Sequence, residues 1–342
     1  MIIDFDVASH ILAEANQNNL TLVITEILRS HRRGYHLVVM PRATATWILD
    51  NIILSGIDQA TLRKLRSEYA QTAELRSTAL IRLRVLPQHM GGPTLSGKVI
   101  EFGLTDLISS NVCEKAVIVV EDTGSDGQFY ENLFKGIIAK IGNVQIGLEM
   151  SNGGGENTSR VFKEKISDRR LVVMIADSDK SAPSFDIPAK ISKAKLMAEQ
   201  AVWPLTEVIC LPCREVENLV PLHLVEKLRC SQGRGVEISS LHRIQTAEDK
   251  AGIPVHHQLW MYYDLKRGAP EDRSEWLETK LRMGGHASYQ GFGNQMMTQF
   301  VADEAIKKEF RQYVKKDHWW NTFGIIFERA LWMVVAANRQ FA

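Results

Sequence analysis

Carboxylates that directly follow apolar runs carry the chemistry this sequence offers. The run AVIVV (residues 116–120) is followed at once by Glu121, and LVVMIA (171–176) by Asp177, Ser178 and Asp179. Both runs are apolar and rich in β-branched residues, the composition of a strand buried on both faces. In an open parallel sheet, ligands gather at the carboxyl ends of the strands. Asp177 and Asp179 are two residues apart, so a backbone that stays extended turns both to one side. Glu121 at the end of a neighbouring strand brings a third carboxylate within reach, and Asp126, just before the next helical stretch, adds a fourth. Such a group repels itself unless a positive partner joins it. A hard divalent cation with oxygen ligands, Mg2+ or Mn2+, answers that need and suits displacement at phosphorus.

The elements that must position these acids follow from the pattern around them. After Glu121 comes a turn signal, TGSDG, then QFYENLFKGIIAKIG with helical apolar spacing and a glycine stop. VQIGLEM reads as a strand, SNGGGENT as a loop, SRVFKEKI as a helix, RRLVVMIA as the strand that delivers the aspartates, and VIC as a further short strand. This alternation predicts a parallel sheet with helices on both faces, over residues 113–230. Residues 1–112 read as a separate, Rossmann-like α/β unit: HLVVM (36–40) as a buried strand, 58–86 as helical by its apolar spacing, and GGP (91–93) as a break. Residues 231–342 turn helical and aromatic, with helices expected in EWLETKLRM, EAIKKEFRQYVKK and TFGIIFERALWMVVAANRQ. The expected class is therefore α/β, with a mainly helical C-terminal part.

VVEDTGSDGQFYENLF followed by VVMIADSDKS resembles the TOPRIM domain of topoisomerases, primases and overcoming-lysogenization-defect nucleases. The resemblance covers residues 115 to about 225. It matches Glu121 to the family's glutamate and Asp177 and Asp179 to its aspartate pair. The spacing departs from the usual EGxxD: Asp122 replaces the glycine, and Asp126 comes one residue late. CREVENLVP resembles the stretch that follows the aspartate pair in nuclease-type TOPRIM domains, including those of phage-defence effectors, and this implies Glu217 as an added metal ligand, with Asn218 fixing the backbone. YYDLKRG (262–268) resembles the segment that supplies a lysine to these sites, which implies Lys266 as the cation that steadies charge on phosphate. SNGGGENT resembles the glycine-bearing loop of the same branch, whose backbone N–H groups at Gly153 to Gly155 would meet phosphate. Together the resemblance implies a Mg2+- or Mn2+-dependent nuclease acting on DNA or RNA, tRNA included. It further implies a toxic effector in bacterial anti-phage defence, under the control of a separate sensor protein or ATPase. Homo-oligomerisation stays open.

The N-terminal third has the cadence of a PIN-like nuclease domain, with Asp4 and Asp106 as matching acids. No acid stands between LVVM and Asp50, so an inactive PIN-like or another Rossmann-like unit is implied. Net charge is near zero, 41 Lys and Arg against 40 Asp and Glu, which excludes a uniformly basic nucleic-acid binder but not a basic face. From Arg29 to Arg84 ten basic residues stand against four acids. Arg29, Arg32, Arg33, Arg63, Lys64 and Arg66 are its candidate contacts to nucleic acid, with a solvated helix face as the alternative. Four cysteines are too few for a disulfide scaffold, and Cys210 and Cys213 lack the second pair that zinc requires. Gly92 to Lys98 fits most of a phosphate-binding loop, but Val99 stands where Ser or Thr is needed and VIEF reads extended, so no ATP site is expected. No apolar run is long enough to span a membrane. The opening MIIDFDVASH has acids where a signal peptide is basic and apolar, so a cytoplasmic protein is expected.

Two further readings compete. DSDKS fits a phosphatase of the haloacid-dehalogenase type or a sugar-nucleotide transferase, both of which use a DxD near a strand end, although Glu121 then has no role. A catalytically inactive TOPRIM binding module, docking a partner through its aromatic C-terminal part, is the other.

Overall fold

A computed structural model of the chain describes residues 1–269, 274–285 and 290–339. Two sheets of mainly parallel strands are flanked by helices, and a mainly helical C-terminal region follows. The first sheet contains β1 (Ile2–Asp4), β2 (Leu37–Val39), β3 (Arg82–Val85), β4 (Thr94–Ser96) and β5 (Val99–Phe102), ordered β2-β1-β3-β5-β4 with only β4 antiparallel. The helical spacing expected as far as Leu86 stops earlier: the helices end at Thr72 and Thr78, and Arg82–Val85 is a strand. Leu83 and Val85 are buried while Arg82 and Arg84 are half-exposed, a period of two that overrides the helical cadence before it. The segment that mimics a phosphate-binding loop is the β4–β5 hairpin, with no helix opening after Lys98.

The second sheet contains β6 (Ala116–Val120), β8 (Leu148–Asn152), β9 (Val172–Ala176) and β10 (Thr206–Cys210), all parallel, ordered β10-β9-β6-β8. A small pair, β7 (Gln145–Ile146) with β11 (Val335–Ala336), stands beside it. Every residue of β6 and β9 is buried, which explains their unbroken apolar runs. Alternation divides the residues between two packing layers. Ile118, Val120, Val173 and Ile175 join the main core with Phe129 and Leu133. Val117, Val119, Val172 and Met174 pack with Phe162, Ile191 and Ala194 from the helices Thr158–Ser167 and Ala189–Gln200. Helices thus cover both faces.

The C-terminal region is built onto the first of those layers. Phe129, Phe300 and Phe310 form a triangle with ring centroids 5.1–5.4 Å apart, joining the helices Gln128–Ile137, Met296–Ala302 and Glu304–Tyr313. Gly136 makes this approach feasible: a Cβ there would stand 2.5 Å from Val314 Cγ2. The long helix expected near the C-terminus is shorter, Glu328–Met333, because Val335 and Ala336 form β11 instead. The end of the expected helix, Gln340, lies outside the described residues. Gly147 N donates to Val334 O at 2.7 Å and Ala337 N to His36 O at 3.3 Å, so this segment ties the two sheet systems together. No helix among the described residues is long and apolar enough to cross a membrane.

Two buried histidines make the N-terminal unit acid-sensitive. His31 is 3 % exposed and its Nδ1 accepts from Val38 N at 3.2 Å. Burial, reinforced by Lys64 and Arg32, pushes its pKa down to about 4. Burial also holds His36 well below its ordinary value. A depressed histidine favours the fold while neutral, so its contribution is complete above about pH 6.5 and is lost as pH falls through 4. For His31 that loss is about 3 kcal/mol. Thermal unfolding between pH 7.5 and 4 should show a steeper acid decline in the parent than in His31→Asn; equal slopes would refute the assignment.

Candidate active site

The strand order of the second sheet reverses between β6 and β9. From β6 the chain moves to β8 on one side, and from β9 to β10 on the other, which opens a crevice at the carboxyl ends of this adjacent pair. Val119 lies opposite Met174 in register, so Glu121 and Asp177 leave the sheet at the same end. The turn after β6 is formed by Asp122, whose carboxylate accepts from Gly124 N and Ser125 N, both at 3.0 Å. These bonds and the Ser125 hydroxyl hold Asp122 below the usual carboxylate range. Asp122 therefore serves the turn and leaves Asp126 to face inward, where burial pushes its carboxyl up.

Asp177 is the centre of the group. Its Oδ1 accepts from Val216 N at 3.0 Å. Burial pushes its pKa well above the usual carboxylate range, the charges of Glu217, Asp126 and Glu121 push it further, and Lys266 opposes them. The backbone two residues on, at Asp179, is left-handed. Its φ is +51°, so the extended path breaks there. Asp179 N donates to Arg214 O at 2.9 Å, and its exposed side chain turns to Lys190. The expectation that both carboxylates face one side depended on an extended path, and that path ends at this left-handed residue, a conformation that aspartate tolerates better than most side chains.

Lys190 is the residue the sequence reading missed. Its Nζ lies 2.5 Å from Glu121 Oε1 and 3.2 Å from Asp179 Oδ2. Burial works against its charge, but the two carboxylates outweigh burial and raise its pKa. The available signal was its place as the second residue of the helix Ala189–Gln200, where the helix dipole disfavours a cation unless acids stand opposite.

Glu217 and Lys266 arrive from the C-terminal side. Lys266 Nζ is 3.2 Å from Glu217 Oε1 and 3.4 Å from Glu215 Oε2. Glu217 is 2 % exposed; burial raises its pKa to about 7 against the pull of Lys266. Its Oε2 has no hydrogen-bond partner. Burial opposes the charge of Lys266, yet Glu217 and Glu215 together hold its pKa above the ordinary value. Asn218 fixes the backbone: its Oδ1 accepts from Glu215 N, and its Nδ2 donates to Trp260 O and Tyr263 O at 2.7 and 3.0 Å. Asp264 accepts from Lys266 N and Arg267 N and pairs with Arg214 at 3.3 Å. Behind this loop, a Cβ on Gly291 would lie 2.2 Å from Lys266 O, so only glycine allows the approach.

Other candidates have different tasks. Gly153 N donates to Val120 O at 2.7 Å, and Gly154 N to Glu121 O and Asn152 Oδ1. These two N–H groups close the end of β6 and are not available to phosphate. Asp4 is fully buried and faces Arg76, Arg82 and Arg84 at 3.3, 3.4 and 3.9 Å, while Asp106 accepts from Gly103 N as a helix cap. Both acids of the PIN-like pattern are thus engaged in structure. Of the basic span, Arg29 pairs with Glu26 and Glu114, Arg32 with Asp58, and Lys64 with Glu68. Arg63 bonds Gln59, Arg66 bonds Thr46, and Arg33 stands over the Tyr35 ring. Asp58 and Glu68 belong to the four acids already counted in the span, and among these pairs only Glu26 and Glu114, both at Arg29, come from outside it. The four cysteines are free thiols.

The side chains gathered here offer oxygen donors, the kind a hard divalent cation takes, and two buried carboxylate oxygens, Glu215 Oε2 and Glu217 Oε2, have no hydrogen-bond partner. Six carboxylates (Glu121, Asp126, Asp177, Asp179, Glu215, Glu217) meet three cations (Lys190, Lys266, Arg214); burial is the main cause of the upward shifts at Asp126, Asp177 and Glu217, and neighbouring carboxylates add to it. Among the described residues, no three His, Cys, Asp or Glu side chains are arranged to hold a metal ion. Lys190 instead ties Glu121 to Asp179. No family model, curated protein or solved structure matches this chain.

Proposed function

We propose that this chain is a divalent-metal-dependent phosphodiesterase of nucleic acid, built on a TOPRIM-like sheet. The observation that supports it most is the convergence of Glu121 and Asp177 on the β6/β9 switch point, with Glu217 and Asp126 pressing on Asp177 and Lys266 beside them. Glu121, Asp126, Asp177, Asp179 and Glu217 would hold Mg2+ or Mn2+, which supplies charge neutralisation at phosphate and acidifies water. Lys266, held between Glu215 and Glu217, would offer its ammonium to the charge that grows on a phosphoryl oxygen. Asp264 and Asn218 orient the two loops that carry Lys266 and Glu217. Use against phage under a sensor or ATPase partner rests on the sequence resemblance alone.

The test is incubation of plasmid, single-stranded DNA and tRNA with the purified protein, with Mg2+ or Mn2+ and with EDTA. EDTA-sensitive strand cleavage supports the reading. Release of phosphate from small monoesters without strand cleavage would favour the phosphatase reading instead. A binding module is the second reading, favoured by the Lys190 bridge between Glu121 and Asp179; its mark is nucleic-acid or protein binding without cleavage at any metal concentration.

Lys190 offers a further check. Lys190→Met leaves Glu121 and Asp179 without their shared counter-charge. Binding of Mn2+ then no longer has to displace an ammonium, and a tenfold gain in affinity is about 1.4 kcal/mol of added stabilisation. Millimolar Mn2+ should raise Tm by a few degrees more in the variant than in the parent. Equal shifts would separate Lys190 from the metal position.

A further inference from the structure

A cavity of about 330 Å3 lies beside the carboxylate group. Three separate segments join the two, each with one residue in the group and a near neighbour on the cavity wall. Asp179 pairs with Lys190, and Ser181 lines the cavity. Glu215 pairs with Lys266, and Arg214 lines it. Lys266 also pairs with Glu217, and Arg267 lines it. The two sites are therefore contiguous.

The wall carries two guanidinium groups, Arg214 and Arg267, against one acid, Asp264. That acid is already engaged: its Oδ1 accepts from Lys266 N and Arg267 N, and its Oδ2 from Arg214 Nη2 at 3.3 Å. Glu215 stands a further 3.8 Å from Arg214 Nε, so Arg214 is largely answered. Arg267 is not. It is exposed, and its guanidinium makes no hydrogen bond or ion pair among the described residues. Beside it, Tyr262, Tyr263 and Leu277 give the cavity a buried, weakly polar wall, and such walls sharpen the field of an unopposed cation.

We infer that this cavity holds the phosphate next to the scissile one, one nucleotide along the strand, with Arg267 donating to its oxygens. The inference rests on the phosphodiesterase reading and adds a second contact to the same strand. A guanidinium fork matches two phosphoryl oxygens at once. Asp264 holds the backbone of Lys266 and Arg267 in one turn, so the two cations keep a fixed spacing, as two successive phosphates do. A strand gripped at both is set in register.

Fluorescence anisotropy of a labelled single-stranded oligonucleotide, at fixed Ca2+ and across a KCl series, tests this apart from turnover; a gel of the same samples confirms that the strand is intact. Arg267→Met should bind the strand about tenfold more weakly, the low end of what a hydrogen bond to a charged group supplies. The slope of log K against log salt should become shallower by roughly 0.7, the counterion release of one phosphate on a single strand. Arg267→Lys keeps the charge and loses the fork, so it should retain the slope of the parent and lose part of the affinity. Ser181→Asp sets a carboxylate in the cavity and should weaken binding at least as much as Arg267→Met. The Tm of Arg267→Met should equal that of the parent, since the side chain removed fastens nothing. Parent-like affinity and slope in Arg267→Met overturn the inference, and so does a parent that binds no strand. If the parent nevertheless cleaves, the phosphodiesterase reading stands without this contact. If the expected losses appear in a protein that never cleaves, the contact stands and that reading falls.

Discussion

Asp177→Asn is expected to lower metal-dependent strand cleavage by about 10²–10³-fold, the range that follows loss of one positioned charge from such a centre. Asparagine can still accept the bond from Val216 N, so the turn that presents Glu217 stays in place. The fold should not suffer. Burial raises the pKa of Asp177, so in metal-free buffer its ionised form opposes folding. That cost is absent below the ordinary carboxylate range and grows as pH rises above it. The variant should therefore match the parent in Tm near pH 4 and exceed it at neutral pH. Catalytic loss without stability loss is the signature of a functional carboxylate. A variant that cleaves within threefold of the parent would place the chemistry elsewhere.

Glu248→Ala is expected to cost about 3–5 kcal/mol of stability. Glu248 and Lys280 form an ion pair at 2.5 Å, with side chains 1 % and 9 % exposed. Both Glu248 oxygens also accept from Leu259 N, at 3.0 and 3.1 Å. The pair thereby fastens the helix Gly235–Lys250 to the segment that leads through Trp260 and Tyr263 to Lys266. Alanine leaves the ammonium of Lys280 buried without a counter-charge and Leu259 N without its acceptor. Replacing both partners with apolar residues, Glu248→Leu with Lys280→Met, removes the stranded charge and should recover most of the loss, because a buried pair is worth little against well-packed apolar side chains. Denaturant unfolding of the three proteins measures this. A single variant within 1 kcal/mol of the parent would show that the pair does not anchor the loop.

The parts of the site that were legible share a physical cause. β6 and β9 are buried on both faces, so their sequences are unbroken apolar runs, and the first polar residue beyond each marks where the strand emerges. Glu121 and Asp177 were visible for that reason. Glu217 and Lys266 were reached through resemblance, since neither follows a regular element; they stand in short turns fixed by Asn218 and Asp264. Lys190 was missed because its partners are 69 residues before it and 11 residues before it, and ion pairs across such separations depend on which strands become neighbours. The partners of Asp4 were hidden for the same reason. Its burial is readable from MIIDFDV, but the three arginines that meet it come from residues 76–84. The left-handed turn at Asp179 is invisible to an argument that extends a strand past its last ladder bond.

The most direct measurement is a crystal structure of the protein soaked in Mn2+, with anomalous data locating the ion. The account requires an anomalous peak at the carboxyl ends of β6 and β9, ligated by Asp177 together with Glu121 or Glu217, and the Lys190 ammonium withdrawn from Glu121. Saturating Mn2+ with no peak there, and Lys190 still clasping Glu121 and Asp179, would contradict it.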